Sequence, residues 1–357
     1  MEPERQQQLL NTEATAARLR HVCAELQLSP EGFKRAFELA GYTRQSTDWQ
    51  RFLNRVLLVL GAALIVIGTA AFFAYNWSEM HRFDKFATLQ GLLVAAVTLT
   101  WWHGADSLIV KAGLLAAAFS VGVLLAVYGQ AYQTGADPYS LFLGWMMLIL
   151  LWAIAGRQAE LWLFVAILAN LTLVLYWIQV LHPPERWTQD LSRTFGPGAW
   201  LLYALSDFLL AQLVFGLNAV FLIVWEGLAR RPVRWLTGRG APRLLGLFAQ
   251  MAIGTATLRV IFFGIHDVGT PLVYASPVLF VAFTLLALWY YQRRYRDLLI
   301  LAMCASGIIV MTTSLLARGL HFSTAGKLFL LGLFVVAQTG AAAMWLHKVF
   351  NSWRATT

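Results

Sequence analysis

The sequence predicts an all-α fold: a polytopic transmembrane bundle of about ten helices, with both termini cytoplasmic and a small helical cytoplasmic extension in front. Three observations predict it. The chain of 357 residues is 59% apolar and 13% charged, against about 25% charged in average soluble domains, so a water-soluble globule would lack the polar surface to cover itself. The apolar residues gather into ten runs, each near the ~17–25 residues that a helix needs to cross roughly 30 Å of hydrocarbon. When the connections between runs are assigned to alternate sides, 20 Lys and Arg fall on one side and 6 on the other, and the richer side is the cytoplasmic one. Helices follow rather than open strands, because a segment in lipid must hydrogen-bond its own backbone.

Met1 to Gln50 form the extension, which reads as a cytoplasmic helical hairpin. Its first helix spans Gln6 to Leu28. The second starts in "SPEGFKRAFELAG", with Ser29 as N-cap, Pro30 at the first helical position and Gly41 past the end. Leu26, Phe33 and Phe37 need cover, which favours a docked hairpin over a solvated spacer. The polar start does not read as a cleavable signal peptide. Eight basic and seven acidic residues up to Arg55 leave the segment nearly neutral. The net charge of +9 therefore describes no nucleic-acid arm, and no nucleic-acid partner is expected. Cys23 and Cys304 are too far apart in sequence to imply a disulfide framework or a zinc site.

The first transmembrane half, 51–181, contains Val56–Tyr75, Phe86–Trp102, Leu108–Tyr128, Tyr139–Ala155 and Leu161–Leu181. An extracytoplasmic connection, 182–207, follows with "HPPERW" and "FGPGAWLLYALSD"; its Pro and Gly residues break helices, and "AWLLYAL" suits the interface. The second half, 208–350, contains Phe208–Leu228, Leu244–Ile265, Leu272–Tyr291, Leu298–Ala317 and Lys327–His347. Five is odd, so the halves have opposite topology, as in many transporters; no similarity between their sequences supports an inverted repeat.

Between the third and fourth runs the chain reads "VYGQAYQTGADPYSLFLGW". Gly129 and Gly135 permit turn dihedrals, Asp137 can cap the next helix, and Pro138 suits its first position. A helical hairpin accounts for those residues. It does not account for Gln130, Tyr132, Gln133 and Thr134, which bring more hydrogen-bonding capacity than a hairpin needs. A hairpin alone, and a hairpin that also binds a substrate or partner, both remain open. "FFAYNWSEM" and "GQAYQTGADPYSLFLGWMMLILLWAIAGR" resemble the bacterial membrane-protein family called domain of unknown function 2157, best over Arg51 to Arg157. The resemblance implies a multi-pass protein of the bacterial inner membrane. It also implies a partner, a second membrane protein bearing a GDYxxLxY signature, and it implies no reaction.

Arg259 lies six residues inside its run, roughly 9 Å deep at 1.5 Å per residue, where an unpaired arginine costs about 2.5 kcal/mol or more. It either snorkels outward or pairs with an outer carboxylate: Asp137, Asp207, Asp267, Asp84 or Glu79. The substrate-binding candidates are therefore Gln130, Tyr132, Gln133, Thr134, Asp137 and Arg259. Secondary candidates are Asn76, Trp77, Glu79, His81 and Asp84 in "NWSEMHRFD", with His266 and Asp267. Their spacing matches no metal motif, so no metal is expected, and no cofactor or catalytic residue is assigned. The buried amides Gln90, Asn170, Asn218, Gln250 and Gln338 read as links between helices. Ala118, Gly122 and Ala126 read as a strip for close helix approach. Glu226 reads as a partner for Arg230 one turn on, and the arginines of "GRGAPR" as topology determinants touching anionic lipid.

The function read from this pattern is a transporter-like or substrate-handling protein with an extracytoplasmic polar site. A non-catalytic subunit or scaffold of a membrane complex is the alternative. A third reading is an outer-face enzyme on a lipid-linked substrate, using Asp137 or Asp84 as base and Arg259 to hold an anionic head group.

Overall fold

A computed structural model describes residues 16–39, 49–50, scattered positions from 53 to 76, and then 79–102, 108–133, 135, 137–181, 208–230, 234–236, 238–263, 272–320 and 325–355. All regular elements among the described residues are helical. The chain divides into two compact units, Met1–Ile67 and Gly68–Ala355.

The first unit contains α1 (Ala16–Glu25) and α2 (Pro30–Leu39). The start of α2 is the one its sequence specifies: the Gly32 N–H donates to Ser29 Oγ at 3.2 Å, and the Phe33 N–H donates to the Ser29 carbonyl at 2.8 Å. Phe33 and Phe37, one turn apart, stack at 4.6 Å between ring centroids. Gly41 and the residues ahead of Ala16 lie outside the described residues. Most of the first apolar run does too, although its described positions are helical.

The second unit contains α3 (Arg82–Trp102), α4 (Leu108–Ala131), α5 (Pro138–Gly156), α6 (Ala159–Tyr176), α7 (Phe208–Ala229), α8 (Gly240–Phe263), α9 (Leu272–Arg293), α10 (Leu298–Leu320) and α11 (Ala325–Ala355). Among the described residues eight helices, α4 to α11, are long and apolar enough to cross a membrane. Of the two other expected runs, Phe86–Trp102 forms α3, whose 21 residues include Lys85, Gln90, three threonines and two terminal tryptophans. Thr88 and Thr98 donate their hydroxyls to the carbonyls of Asp84 and Val94, at 2.8 and 2.7 Å, which satisfies these polar groups inside the helix itself.

Neighbours in sequence pack as neighbours in space along α3 to α8. Cores form between α3 and α4 around Leu89 and Val127, and among α4, α5 and α6 around Ala118, Ile149, Leu161 and Phe164. Helix α8 is the most buried span and touches α6, α7, α9 and α10. Its Gly246, Ala249, Ala252, Gly254 and Ala256 are buried, and their small size lets several neighbours approach at once. By contrast, no residue of the hydropathy window in α11 is buried. That helix contacts α10 and leaves most of its apolar surface to lipid.

Close packing between α4 and α5 follows from one glycine. A Cβ on Gly122 would stand 2.2 Å from Trp145 Cε2, and the indole N–H donates to the Ala118 carbonyl at 2.7 Å. The small-residue strip therefore receives a tryptophan ring. Four of the five amides link helices as read from the sequence; Gln90 is instead exposed on α3. Asn170 and Asn218 bond to each other in both directions, at 3.1 and 2.7 Å, tying α6 to α7. Gln250 donates to the Met303 carbonyl at 3.1 Å, and Gln338 of α11 bonds with Thr312 and Thr313 of α10.

Candidate functional site

The hairpin between α4 and α5 is the first candidate. Of the two glycines read as turn residues, Gly135 adopts a left-handed φ of 60°, joined by Gln133 at 46°, whereas Gly129 lies within α4. Asp137 occupies the N-cap position, but its side chain makes no capping bond. Its backbone carbonyl instead accepts from the Ser140 N–H at 2.9 Å and from Ser140 Oγ at 2.6 Å. The cap arrives from a distant position: Gln179 Oε1 accepts the Tyr139 N–H at 3.2 Å. Gln179 sits in the π-helical turn Trp177–Leu181 that ends α6. The added residue of such a turn re-aims a side chain, and here the carboxamide reaches the α5 N-terminus. No motif in the sequence marks that turn.

Gln130, Tyr132, Gln133 and Asp137 are all exposed, and Thr134 lies outside the described residues. The tyrosines anchor the hairpin on α3. Tyr128 and Tyr132 lie 4.8 Å apart, and the Phe86 ring is 6.4 Å from the first and 6.1 Å from the second. This contact brings the "NWSEMHRFD" segment to the same end of the bundle as the hairpin. Within that segment, Asn76 Nδ2 donates to the Phe72 carbonyl at 2.9 Å, and the His81 ring lies 5.3 Å from Phe83. Glu79, His81 and Asp84 are exposed, Asn76 is half-buried, and Trp77 lies outside the described residues.

Arg259 is half-buried on α8, its guanidinium carbon 5.1 Å above the ring of Phe208 at the start of α7. That is cation–π distance, a favourable contact for a cation at this depth beyond the two outcomes read from the sequence. Arg318 of α10 reaches the neighbouring Val260 carbonyl at 3.5 Å. His266 and Asp267, the remaining secondary candidates, lie outside the described residues. Among the described residues no cluster of three His, Cys, Asp or Glu could hold a metal.

A second polar centre, which sequence reasoning missed, lies where α7, α8, α9 and α10 meet at the opposite end. Arg239 donates from Nη1 to Glu226 Oε1 at 2.9 Å and from Nε to Asp297 Oδ2 at 3.0 Å. Arg243, one turn on, donates to Asp297 at 3.1 Å, and the Tyr291 hydroxyl donates to Glu226 Oε1 at 2.9 Å. Asp297 also caps α10, with Oδ1 accepting the Leu299 and Ile300 N–H groups at 3.1 and 3.4 Å. The Arg239 guanidinium lies 4.9 Å over the Tyr295 ring. Burial works against ionisation of Asp297, but the hydrogen bonds and charges of Arg243 and Arg239 outweigh it and hold the carboxyl below its usual range. Two readings are thereby corrected. Glu226 takes Arg239 and Tyr291 rather than Arg230, and the "GRGAPR" arginines are bound within the protein rather than left to lipid. Arg239 and Arg243 are four apart and so share one helix face, and an aspartate directly before "LLILA" is an N-cap pattern. Those were the legible signals.

With the geometry described, the relation to known proteins can be stated. Residues 23–162 match the family of predicted membrane proteins DUF2157. The matched segment is less than half of the chain. It takes in the tyrosine–glutamine hairpin and α3 to α5, and it stops before the ionic centre. No curated protein and no solved structure matches the chain. The chain is an integral, multi-pass membrane protein, and the segment similar to that family carries the exposed polar hairpin.

Proposed function

We propose that the protein is a non-catalytic subunit or scaffold of a membrane complex, with the DUF2157 hairpin as the docking surface for a second membrane protein. One observation carries this reading: Gln130, Tyr132, Gln133 and Asp137 are exposed at the rim, while Asn170, Asn218, Gln250 and Gln338 are bonded to neighbouring helices. A transporter needs polar groups facing a solvated path at mid-membrane; here those amides are committed to packing, and the uncommitted hydrogen-bonding groups project outward. Basic residues favour a bacterial inner membrane with both termini in the cytoplasm and the hairpin outside. The resemblance suggests a partner bearing a GDYxxLxY signature.

A substrate-handling role at the same outer end is the second reading. Arg259, half-buried on the Phe208 ring, favours it as an anion contact, with the hairpin side chains and, secondarily, Asn76 to Asp84 as further contacts. Affinity purification in mild detergent separates the two. The scaffold reading expects a second membrane protein in stoichiometric amount with the wild type and its loss from a Gln130→Ala, Tyr132→Ala, Gln133→Ala variant. A chain that purifies alone and conducts solute in proteoliposomes would overturn it.

A further inference from the structure

At the end opposite the hairpin, a cleft of about 400 Å³ lies between α7 and α9, lined by Ile223, Glu226, Arg230, Leu286, Trp289 and Tyr290 among others. Its mouth opens sideways. Ile223, Leu286 and Trp289 are 70%, 65% and 58% exposed on helices that cross the membrane, so the cleft faces acyl chains rather than bulk water. Its polar end has hydrogen-bonding capacity that the fold leaves unused. The Glu226 side chain is only 6% exposed; Oε1 takes Arg239 and Tyr291, but Oε2 is buried without a hydrogen-bond partner. The Tyr290 hydroxyl is also buried, and it is hydrogen-bonded with Arg230. Arg230, exposed one turn beyond Glu226, stands beside that hydroxyl, which favours its charged form. Buried polar atoms without partners are rare and call for an explanation. Glu226 and Asp297 are ion-paired with Arg239 and Arg243, and Arg230 adds a further positive charge to the lining of the cleft.

We propose that this cleft binds a bilayer phospholipid, its phosphate on Arg230, an N–H or O–H of its headgroup on Glu226 Oε2, and an acyl chain along Ile223, Leu286 and Trp289. The chemistry selects among lipids. Phosphatidylethanolamine and phosphatidylglycerol carry a phosphate and a headgroup donor; phosphatidylcholine carries the phosphate and no donor. A soluble anion would satisfy Arg230 but leave the apolar wall open to lipid. The site is independent of the hairpin, so its failure would leave the docking reading untouched.

Native mass spectrometry of the full-length protein in detergent, supplied with each of the three lipids, tests the proposal. Phosphatidylethanolamine and phosphatidylglycerol should be retained roughly tenfold more than phosphatidylcholine, the weight of one charge-assisted hydrogen bond. Arg230→Gln, at an exposed position, should keep its unfolding midpoint and retain all three lipids severalfold less. Equal retention of all three lipids, or unchanged retention by Arg230→Gln, would overturn the site. Displacement of bound lipid by inorganic phosphate alone would also overturn it, in favour of a soluble-anion site.

Discussion

The ionic centre of α7 to α10 and the hairpin of α4 and α5 are both polar interruptions of a greasy chain, and they resolve oppositely. At the first, Arg239, Arg243, Glu226, Asp297 and Tyr291 are bonded to one another. At the second, Gln130, Tyr132, Gln133 and Asp137 stand exposed. A charge within or beside a membrane must be paired or reach water. Four helices converging on one point supply the pairs; a hairpin at the rim has water, or another protein, instead. The first arrangement fixes the fold, and the second leaves recognition capacity free.

Breaking the ionic centre should give the largest effect. Asp297→Ala removes the shared counter-ion of two arginines and the cap of α10. It should cost about 3 kcal/mol, the lower end for a broken buried pair because the arginines partly reach water, read as a drop in the thermal unfolding midpoint in detergent. The same carboxylate predicts a pH dependence. Its folded pKa is lowered, so its stabilisation is complete above the unfolded value near 3.9 and is lost as pH falls through the lowered value. Wild-type stability should therefore hold from pH 7 to about pH 5, then fall, and Asp297→Ala should remove that part of the fall.

Smaller effects sharpen the contrast. Gly122→Ala forces a methyl group against Trp145 and should cost about 1–3 kcal/mol, as overpacking does. Asn218→Leu leaves Asn170 without its cross-helix partner and should cost roughly 1 kcal/mol, in line with interhelical hydrogen bonds in membranes. The smallest effect belongs to the hairpin: Gln130→Ala with Gln133→Ala should change stability by less than about 0.5 kcal/mol, as surface substitutions do, yet abolish partner recovery. A hairpin variant that unfolds like Asp297→Ala would make the polar stretch structural and erase the contrast.

The membrane-crossing runs were legible because lipid imposes length and apolarity on each segment separately. The run Leu108–Tyr128 became Leu108–Ala131, and Leu298–Ala317 became Leu298–Leu320. The ends moved because helices continue through the interface past the last apolar residue. Contacts between distant segments were less legible. Gln179 reaches Tyr139 by way of a π turn that composition does not mark. Arg239, and not the nearer Arg230, pairs with Glu226, and the 3-10 turn Arg234–Leu236 ahead of Arg239 packs on α7 through Trp235 and Trp225. Asp137, by contrast, looked like a cap and occupies the cap position, but its side chain stays free. Local rules placed the residue and tertiary geometry chose the donor.

The contrast itself is tested most directly by thiol labelling in a background with Cys23 and Cys304 replaced. Gln130→Cys in the hairpin and Arg294→Cys beside the ionic centre are both exposed positions at opposite ends of the bundle. In intact cells a membrane-impermeant maleimide should label the first at once and the second only after permeabilisation. Labelling of both positions in intact cells, or of Arg294→Cys alone, would contradict the placement of a free polar surface outside and a committed one within.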